Sequence, residues 1–179
     1  MSQRRPPITR LLPLLRHPYG WIATGFGAGL SPIAPGTAGS LVALLPYLLL
    51  RPLGALAVLA AAVVVFAIGV VAAQWSIDQL GAEDPGAVVI DEWVGQWLAF
   101  LPVFLVWPGF GFHPPLALEL LAGFLLFRLF DIAKPWPANW ADRNLHGGFG
   151  AMLDDAIAGC YAALAMAVLP LIAALVGEF

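Results

Sequence analysis

Acidic side chains at the edges of long uncharged stretches are the residues best suited to do chemistry in this chain. They are Asp91, Glu92, Asp131, Asp154 and Asp155. An ionised carboxylate beside hydrocarbon is costly unless it is paired, metal-bound or hydrated, so such acids indicate a functional site. Carboxylate oxygens clustered without His or Cys favour Mg²⁺. The pattern therefore predicts that these five residues bind a divalent cation.

Positive charges accompany the acids. Arg128 lies inside an apolar stretch, LLFRLFD, three residues before Asp131, and Lys134 follows shortly after. A buried arginine needs a partner, and Asp131 or a phosphate would serve. Arginine offers a bidentate fork to phosphate and lysine a point charge. Arg128 and Lys134 are therefore candidate phosphate-binding residues, with anchoring to anionic lipid as the simpler alternative for Lys134.

The segment SPIAPGTAGS, residues 31–40, contains a third candidate element. Backbone N–H groups at Gly36 and the hydroxyls of Thr37 and Ser40 could surround an anion ahead of a helix. The segment lacks the GxxxxGK[ST] pattern of a nucleotide-binding loop. A plain helix N-cap is the alternative interpretation.

Composition places these residues in a membrane protein. Of 179 residues, 61% are hydrophobic and 11% are charged, against about 25% charged in a typical soluble domain. The net charge of −3 gives no indication of nucleic-acid binding, and the single Cys160 excludes an internal disulfide. We expect one membrane-embedded domain over residues 1–179, with a basic segment at 1–20 and no cleavable signal peptide. The sequence does not specify an oligomeric state.

The elements that must position the acids are predicted to be helices, giving an all-α polytopic bundle with four or five hydrophobic segments. A spanning helix needs roughly 20 apolar residues. The candidates are 52–77, 88–107 with a possible kink at Pro102, 116–132 and 156–176, together with a short segment at 39–50. Two stretches rich in Gly and Pro are expected to be irregular: 24–40, and 134–150 with a short helix near 138–145.

Chain order brings the acids to one membrane face. Helices 88–107 and 116–132 cross the membrane in opposite directions, so Asp91 and Glu92, near the start of the first, and Asp131, near the end of the second, must share a membrane face. Asp154 and Asp155 are expected to open the last helix on that face. The 31–40 segment joins them only if 39–50 also crosses. The basic N-terminus predicts that this face is cytoplasmic.

Two glycines are placed to support this arrangement. Gly95 lies four residues after Asp91, and Gly159 lies four residues after Asp155. Each is expected to let another backbone approach the acidic helix face. We expect Asp78, Glu83 and Asp84 to be solvated in a connecting segment, and Glu119 and Glu178 to lie on the opposite side, uninvolved.

Four blocks in order carry a family resemblance. VIDEWVGQWLA, FRLFDIAKPWPANWADR and HGGFGAMLDDAIAG, with SPIAPGTAGS before them, resemble the motifs of the phosphatidylglycerophosphatase A family. The resemblance runs from Thr24 onward. It implies an all-helical, Mg²⁺-dependent enzyme of the bacterial inner membrane that converts phosphatidylglycerophosphate to phosphatidylglycerol and phosphate.

Within that resemblance the candidate roles are these. The five acids would bind Mg²⁺ and carry catalysis, while Arg128, Lys134, Gly36, Thr37 and Ser40 would hold the phosphate of the phospholipid substrate. Either a metal-activated water or one of the carboxylates would attack phosphorus, and the sequence leaves both routes open. A cation-coupled transporter using the same acids is the alternative function, and a non-catalytic lipid-binding subunit is a third.

Overall fold

The fold is known from a computed structural model that describes residues 7–81 and 86–176. Glu83, Asp84 and Glu178, together with residues 1–6 of the basic segment, lie outside these residues. Within the described ranges the chain forms α-helices and short 3₁₀ turns and no strand, which confirms the all-α prediction.

The N-terminal segment folds back onto the helix bundle. It contains α1 (Ile8–Leu11), a 3₁₀ turn and α2 (Pro18–Ala23). Leu11 and Leu14 are buried, and they pack beside Ala87. The N-terminal segment is therefore part of the packed fold.

The first long helix begins earlier than the sequence suggested. Helix α3 spans Pro35–Leu50, so the stretch expected to be irregular through Ser40 becomes helical at Pro35. Proline is favoured in the first helical turn because it has no N–H to leave unsatisfied there and its φ is already helical. A 3₁₀ turn extends the apolar stretch to Leu53, long enough to cross a membrane.

The second long helix, α4, spans Ala55–Leu80 and confirms the predicted helix at 52–77, with its ends shifted by three residues. It ends at Gly81, whose φ of +61° suits the left-handed residue that closes many helices. Asp78 lies on this helix and not in a connection. It is exposed and accepts a hydrogen bond from Gln74.

The segment predicted as one helix at 88–107 is broken. Helix α5 spans Asp91–Ala99 and α6 spans Pro102–Leu105, followed by a 3₁₀ turn at Trp107–Phe110. Proline lacks the N–H for an intrahelical bond and crowds the preceding turn, so the break falls where a kink was expected. All residues of α5 except Asp91 and Leu98 are buried, because α3, α4, α7 and α9 surround it.

The last three helices are α7 (Leu116–Ala133), α8 (Ala138–Asn144) and α9 (Gly147–Val176). The first two match the predicted 116–132 and 138–145. The prediction that the last helix opens at 156 was wrong, since Asp154 and Asp155 lie two turns inside α9. Gly148 lies in the first turn of α9 and allows that helix to pack closely on α4, because a methyl group on Gly148 would overlap the backbone of Val70.

Four stretches of the described chain are long and apolar enough to cross a membrane: Pro35–Leu53, Ala55–Leu80, Asp91–Phe110 and Gly147–Leu175. Helix α7 is not among them, although it is apolar apart from Glu119, Arg128 and Asp131. Large apolar side chains such as Leu49, Leu56 and Leu129 point outward, as lipid-facing residues do. The chain is a multi-pass membrane protein.

Candidate active site

Arg128 is the centre of a charged cluster at one end of the bundle. Its Nη1 donates to Glu92 Oε2 of α5 and lies 2.9 Å from Asp131 Oδ2, one turn further along α7. The arginine and aspartate side chains are only 15% and 13% exposed. Opposite charges in this degree of burial are screened little by water, so Arg128 joins the two helices through their acids.

The first two turns of helix α3 pack against the Arg128–Glu92 ion pair. Ser40 Oγ donates to Glu92 Oε2 at 2.6 Å and lies 3.3 Å from Arg128 Nη1. A methyl group on Gly36 would overlap Glu92 Oε1, so only glycine permits this approach. Gly36 and Ser40 therefore contact the site as predicted. Thr37 lies between them, half-buried, with no hydrogen bond from its hydroxyl among the described residues.

Lys134 forms the second cationic point. It ends α7 in a left-handed conformation, and its Nζ lies 2.6 Å from Asp154 Oδ2 and 2.5 Å from Asp142 Oδ1. Burial alone would lower the pKa of Lys134, but the hydrogen bonds and charges of Asp142 and Asp154 outweigh it and raise that pKa above its ordinary value. The amine is therefore a permanent positive charge at neutral pH.

Two carboxylates of the cluster form no direct ion pair with a described cation. Asp91 Oδ1 accepts only the backbone N–H of Glu92, and Asp155 has no hydrogen bond or ion pair with any described residue. Asp155 is 5% exposed and lies within electrostatic reach of Asp91 and Glu92. Carboxylates with little exposure and no direct ion pair are costly, which marks the half-buried Asp91 and the buried Asp155 as the acids most open to an external ligand.

The five acids thus converge at one end of the bundle, although they come from three helices. Their approach depends on α5 and α9 touching at backbone level. A methyl group on Gly159 would lie 2.7 Å from Gly95 Cα, and one on Gly95 would lie 2.6 Å from Asp155 O. The predicted role of both glycines is confirmed.

The donor set fits a hard divalent cation in its chemistry. All donors are carboxylate oxygens, and two cations among five acids leave three negative charges in excess. That excess would repel a phosphate unless further positive charge is supplied. In the described residues, however, no three Asp, Glu, His or Cys side chains stand together as a ready metal site, because Glu92, Asp131 and Asp154 are held by Arg128 and Lys134.

Sequence reasoning missed two residues here. Asp142 holds Lys134 from α8, and its place eight residues after Lys134 carried no periodic signal. Gln96 lies one turn after Glu92 and is fully buried, and neither its amide oxygen nor its nitrogen has a hydrogen-bond partner among the described residues. Arg128 Nε is likewise buried without a partner. These unpartnered polar atoms leave donors available to a bound phosphate or water.

A separate charged group closes the opposite end of the same helices. Arg51 donates to both oxygens of Glu119 at 2.9 and 2.7 Å, and Tyr47 Oη donates to Glu119 Oε1 at 2.8 Å. Arg51, which directly follows α3, lies eleven positions after Ser40, about 16 Å along the helix axis. Since Ser40 meets the end of α7 and Arg51 meets its beginning, the two helices are antiparallel over their length. Glu119 lies away from the acidic site, as expected.

Fold and site together define a class of protein. It is a helical membrane protein whose carboxylates and paired cations meet at one end of the bundle, an arrangement suited to a phosphorylated ligand. The model of the family described as phosphatidylglycerophosphatase A matches residues 21–170. The chain belongs to the phosphatidylglycerophosphatase A family, as its motifs predicted, and is a phosphoric monoester hydrolase.

Curated relatives cover most of the chain. A phosphatidylglycerophosphatase A of Escherichia coli (strain K12) is 37% identical over 83% of this chain and 81% of its own length. Its namesake in Haemophilus influenzae is 39% identical over 84% and 87%. A protein of Bacteroides thetaiotaomicron named putative phosphatidylinositol-3-phosphatase is 40% identical over 82% and 90%. No solved structure matches the chain significantly.

Proposed function

We propose that this protein hydrolyses phosphatidylglycerophosphate to phosphatidylglycerol and inorganic phosphate, with Mg²⁺, at the cytoplasmic face of the bacterial inner membrane. The observation that carries the proposal is the meeting of Arg128 and Lys134 with five carboxylates at one end of a membrane bundle. Two relatives bear the name of this activity.

The chain's cations suit the phosphate. Arg128 has a buried Nε without a partner among the described residues, and its fork is held in place by Glu92 and Asp131. Lys134 adds a point charge from the other side, oriented by Asp142 and Asp154. A phosphate between them would receive charge-assisted hydrogen bonds. Gly36 and Thr37 add backbone N–H groups from the first turn of α3.

Mg²⁺ would be held by Asp91 and Asp155, which lack cationic partners, with Glu92, Asp131 and Asp154 as further ligands. Bound there, the ion would neutralise phosphate charge and lower the pKa of a coordinated water. The chain's own part is to hold the phosphate, to place the acids beside Arg128 and Lys134, and to exclude bulk water by burial. A water or one of the carboxylates would attack phosphorus, the P–O bond to the glycerol oxygen would break, and that oxygen would leave as the protonated hydroxyl of phosphatidylglycerol. Attack by a carboxylate would leave an acyl phosphate, which water would hydrolyse to phosphate and the free carboxylate.

Nothing in the geometry favours the cation-transporter alternative. The acids lie at one end of the bundle, whereas transporter sites usually lie near mid-membrane. The name of the Bacteroides relative does raise a second substrate, phosphatidylinositol 3-phosphate. Both lipids are phosphate monoesters, so the same cations would hold either one.

The test is phosphate release by the full-length protein in detergent micelles, with each lipid offered separately. We expect turnover of phosphatidylglycerophosphate, loss of that turnover with EDTA, and its return with excess Mg²⁺. Faster release from phosphatidylinositol 3-phosphate would replace the substrate assignment. Release that persists after exhaustive chelation would remove Mg²⁺ from the proposal but leave the phosphatase. Incorporation of ¹⁸O from water into the protein as well as into phosphate would select the acyl-phosphate route.

A further inference from the structure

A basic pocket outside the acidic site lies where the N-terminal segment docks on α4. It has a volume of about 310 Å³, and it is lined by polar side chains of Arg10, Arg16, His17, Trp75 and Gln79. Pro13, Leu14 and Leu80 form its apolar side. None of these residues contacts the carboxylate cluster in any hydrogen bond or ion pair of the described chain.

No described acid forms an ion pair with the two arginines of this pocket. Arg10 and Arg16 are both exposed. The neighbouring Asp78 is exposed and accepts its hydrogen bond from Gln74. Two guanidinium groups facing one cavity repel each other, so an anion between them would relieve that repulsion and accept up to two forked pairs of hydrogen bonds.

His17 adds a directed donor. Its ring stacks on Trp75 at 4.5 Å between centroids, and its Nδ1 accepts the backbone N–H of Tyr19 at 3.2 Å. The stacking and this hydrogen bond fix the orientation of the ring and engage Nδ1, so Nε2 is the nitrogen left to face a ligand.

The surroundings point to a lipid as the source of the anion. Ile8 and Leu12 of the same segment are 52% and 51% exposed, and Trp21 is 43% exposed. Apolar side chains, an aromatic ring and arginines together are typical of a segment lying in the membrane interface. The pocket opens at the end of α4, and Leu11 and Leu14 pack beside Ala87, four residues before Asp91. It therefore lies on the same membrane face as the acidic site.

We propose that this pocket is a non-catalytic binding site for the phosphodiester headgroup of an anionic phospholipid. The phosphate lies between Arg10 and Arg16, His17 Nε2 and the Gln79 amide donate to its oxygens or to headgroup hydroxyls, and the glycerol backbone contacts Pro13 and Leu80. Binding here requires no phosphatase activity and does not depend on the substrate assigned to the acidic site.

The experiment is equilibrium binding of dihexanoyl phosphatidylglycerol to the full-length protein in a neutral detergent. Dihexanoyl phosphatidylcholine and sn-glycerol 3-phosphate are the comparison ligands. We expect Arg10→Gln/Arg16→Gln to weaken phosphatidylglycerol binding about tenfold or more, since each basic residue near a lipid phosphate contributes about 1 kcal/mol. Arg10→Lys/Arg16→Lys should recover most of the affinity.

The matched control is Arg143→Gln, which removes an exposed arginine of α8 outside the pocket. It should bind as the unaltered protein does. An Arg10→Gln/Arg16→Gln protein that binds normally would overturn the proposal. So would an equal loss in Arg143→Gln, which would indicate diffuse surface charge, or equally tight binding of glycerol 3-phosphate, which would indicate a site for soluble phosphates. Unchanged thermal unfolding of the variants in detergent establishes that any loss is not misfolding.

Discussion

At the scale of single residues, the acidic site contains two kinds of carboxylate. Glu92, Asp131 and Asp154 are each held by a cation of the chain, whereas Asp91 and Asp155 are not. Held carboxylates position Arg128 and Lys134, and unheld ones are open to a metal ion or to phosphorus. The sequence indicated only part of this division, because the spacing of Arg128 and Asp131 suggested one pair but did not show which cations hold Glu92 and Asp154.

The division predicts unequal effects of neutral substitutions. We expect Asp155→Asn to lower the turnover number for phosphate release by at least about a hundredfold, because an amide neither binds a hard cation well nor attacks phosphorus. Asp142→Asn should cost only a few-fold, because Asp142 is half exposed and Lys134 retains Asp154. The measurement is steady-state phosphate release by purified variants. Equal losses for the two variants would contradict this division of roles.

Neighbouring hydroxyls of α3 allow a second matched comparison. Ser40→Ala removes a buried hydrogen bond to Glu92, worth about 1.5 kcal/mol or more for a charged acceptor, so we expect at least about a tenfold loss in kcat/KM. Thr37→Ala removes a hydroxyl with no partner in the described residues. If Thr37 acts only through its backbone N–H, this variant keeps most of its activity. A larger loss for Thr37→Ala than for Ser40→Ala would place the Thr37 hydroxyl on the substrate.

At the scale of elements, the site depends on the contact between α5 and α9. The helices touch through Gly95 and Gly159, one turn beyond Asp91 and Asp155. Backbone atoms cannot move aside as a side chain can, so a methyl group at this contact must separate the helices and the acids they carry.

Gly159→Ala is therefore expected to destabilise the protein by about 1–3 kcal/mol and to reduce phosphate release as well. Gly109→Ala is the control, because a methyl group there meets no atom within 4 Å and the backbone is not left-handed. Its free energy of unfolding should change by less than about 0.5 kcal/mol. Thermal unfolding in detergent, followed by tryptophan fluorescence, compares the two. Comparable unfolding of Gly159→Ala and the unaltered protein would show that the helices can separate at no cost.

Elements were predictable from sequence where one physical signal dominated. Uninterrupted apolar stretches predicted the ends of α4 and α7 to within a few residues, and Pro102 predicted the break after α5. Helix starts were mistaken where glycine was taken as a breaker. Gly36 and Gly148 lie inside helices because they allow close approach to Glu92 and to α4, and a single sequence does not distinguish a glycine that packs from one that turns.

The site was predictable in part for a similar reason. Chain order alone requires Asp91, Glu92 and Asp131 to share a face, since two helices connected by a short turn return to where they began. The partner of each charge depends on the direction of its side chain, which the sequence does not specify. The Lys134–Asp142 pair, and the Gln96 amide that has no partner among the described residues, are therefore visible only in the folded structure. The Tyr47–Arg51–Glu119 group was missed because 68 residues separate its two helices along the chain.

At the scale of the whole molecule, charge is distributed unevenly between the two ends of the bundle. Arg10, Arg16, Arg128, Lys134 and Arg143 lie at the end that carries the acidic site, and Arg51 lies at the other end, paired with Glu119. Membrane proteins keep Lys and Arg near the cytoplasmic surface. The asymmetry predicts that the acidic site and the basic pocket both face the cytoplasm.

Cysteine labelling tests this orientation in intact bacteria that express the protein. In a Cys160→Ser background, Leu53→Cys places a thiol at the Arg51 end, where Leu53 is 69% exposed. Arg143→Cys places one on exposed α8 at the site end. A membrane-impermeant maleimide should label Leu53→Cys in intact spheroplasts and Arg143→Cys only after permeabilisation. The reverse pattern would place the acidic site outside the cytoplasm, where a substrate in the inner leaflet could not reach it. The proposed reaction would then require its lipid to cross the membrane first.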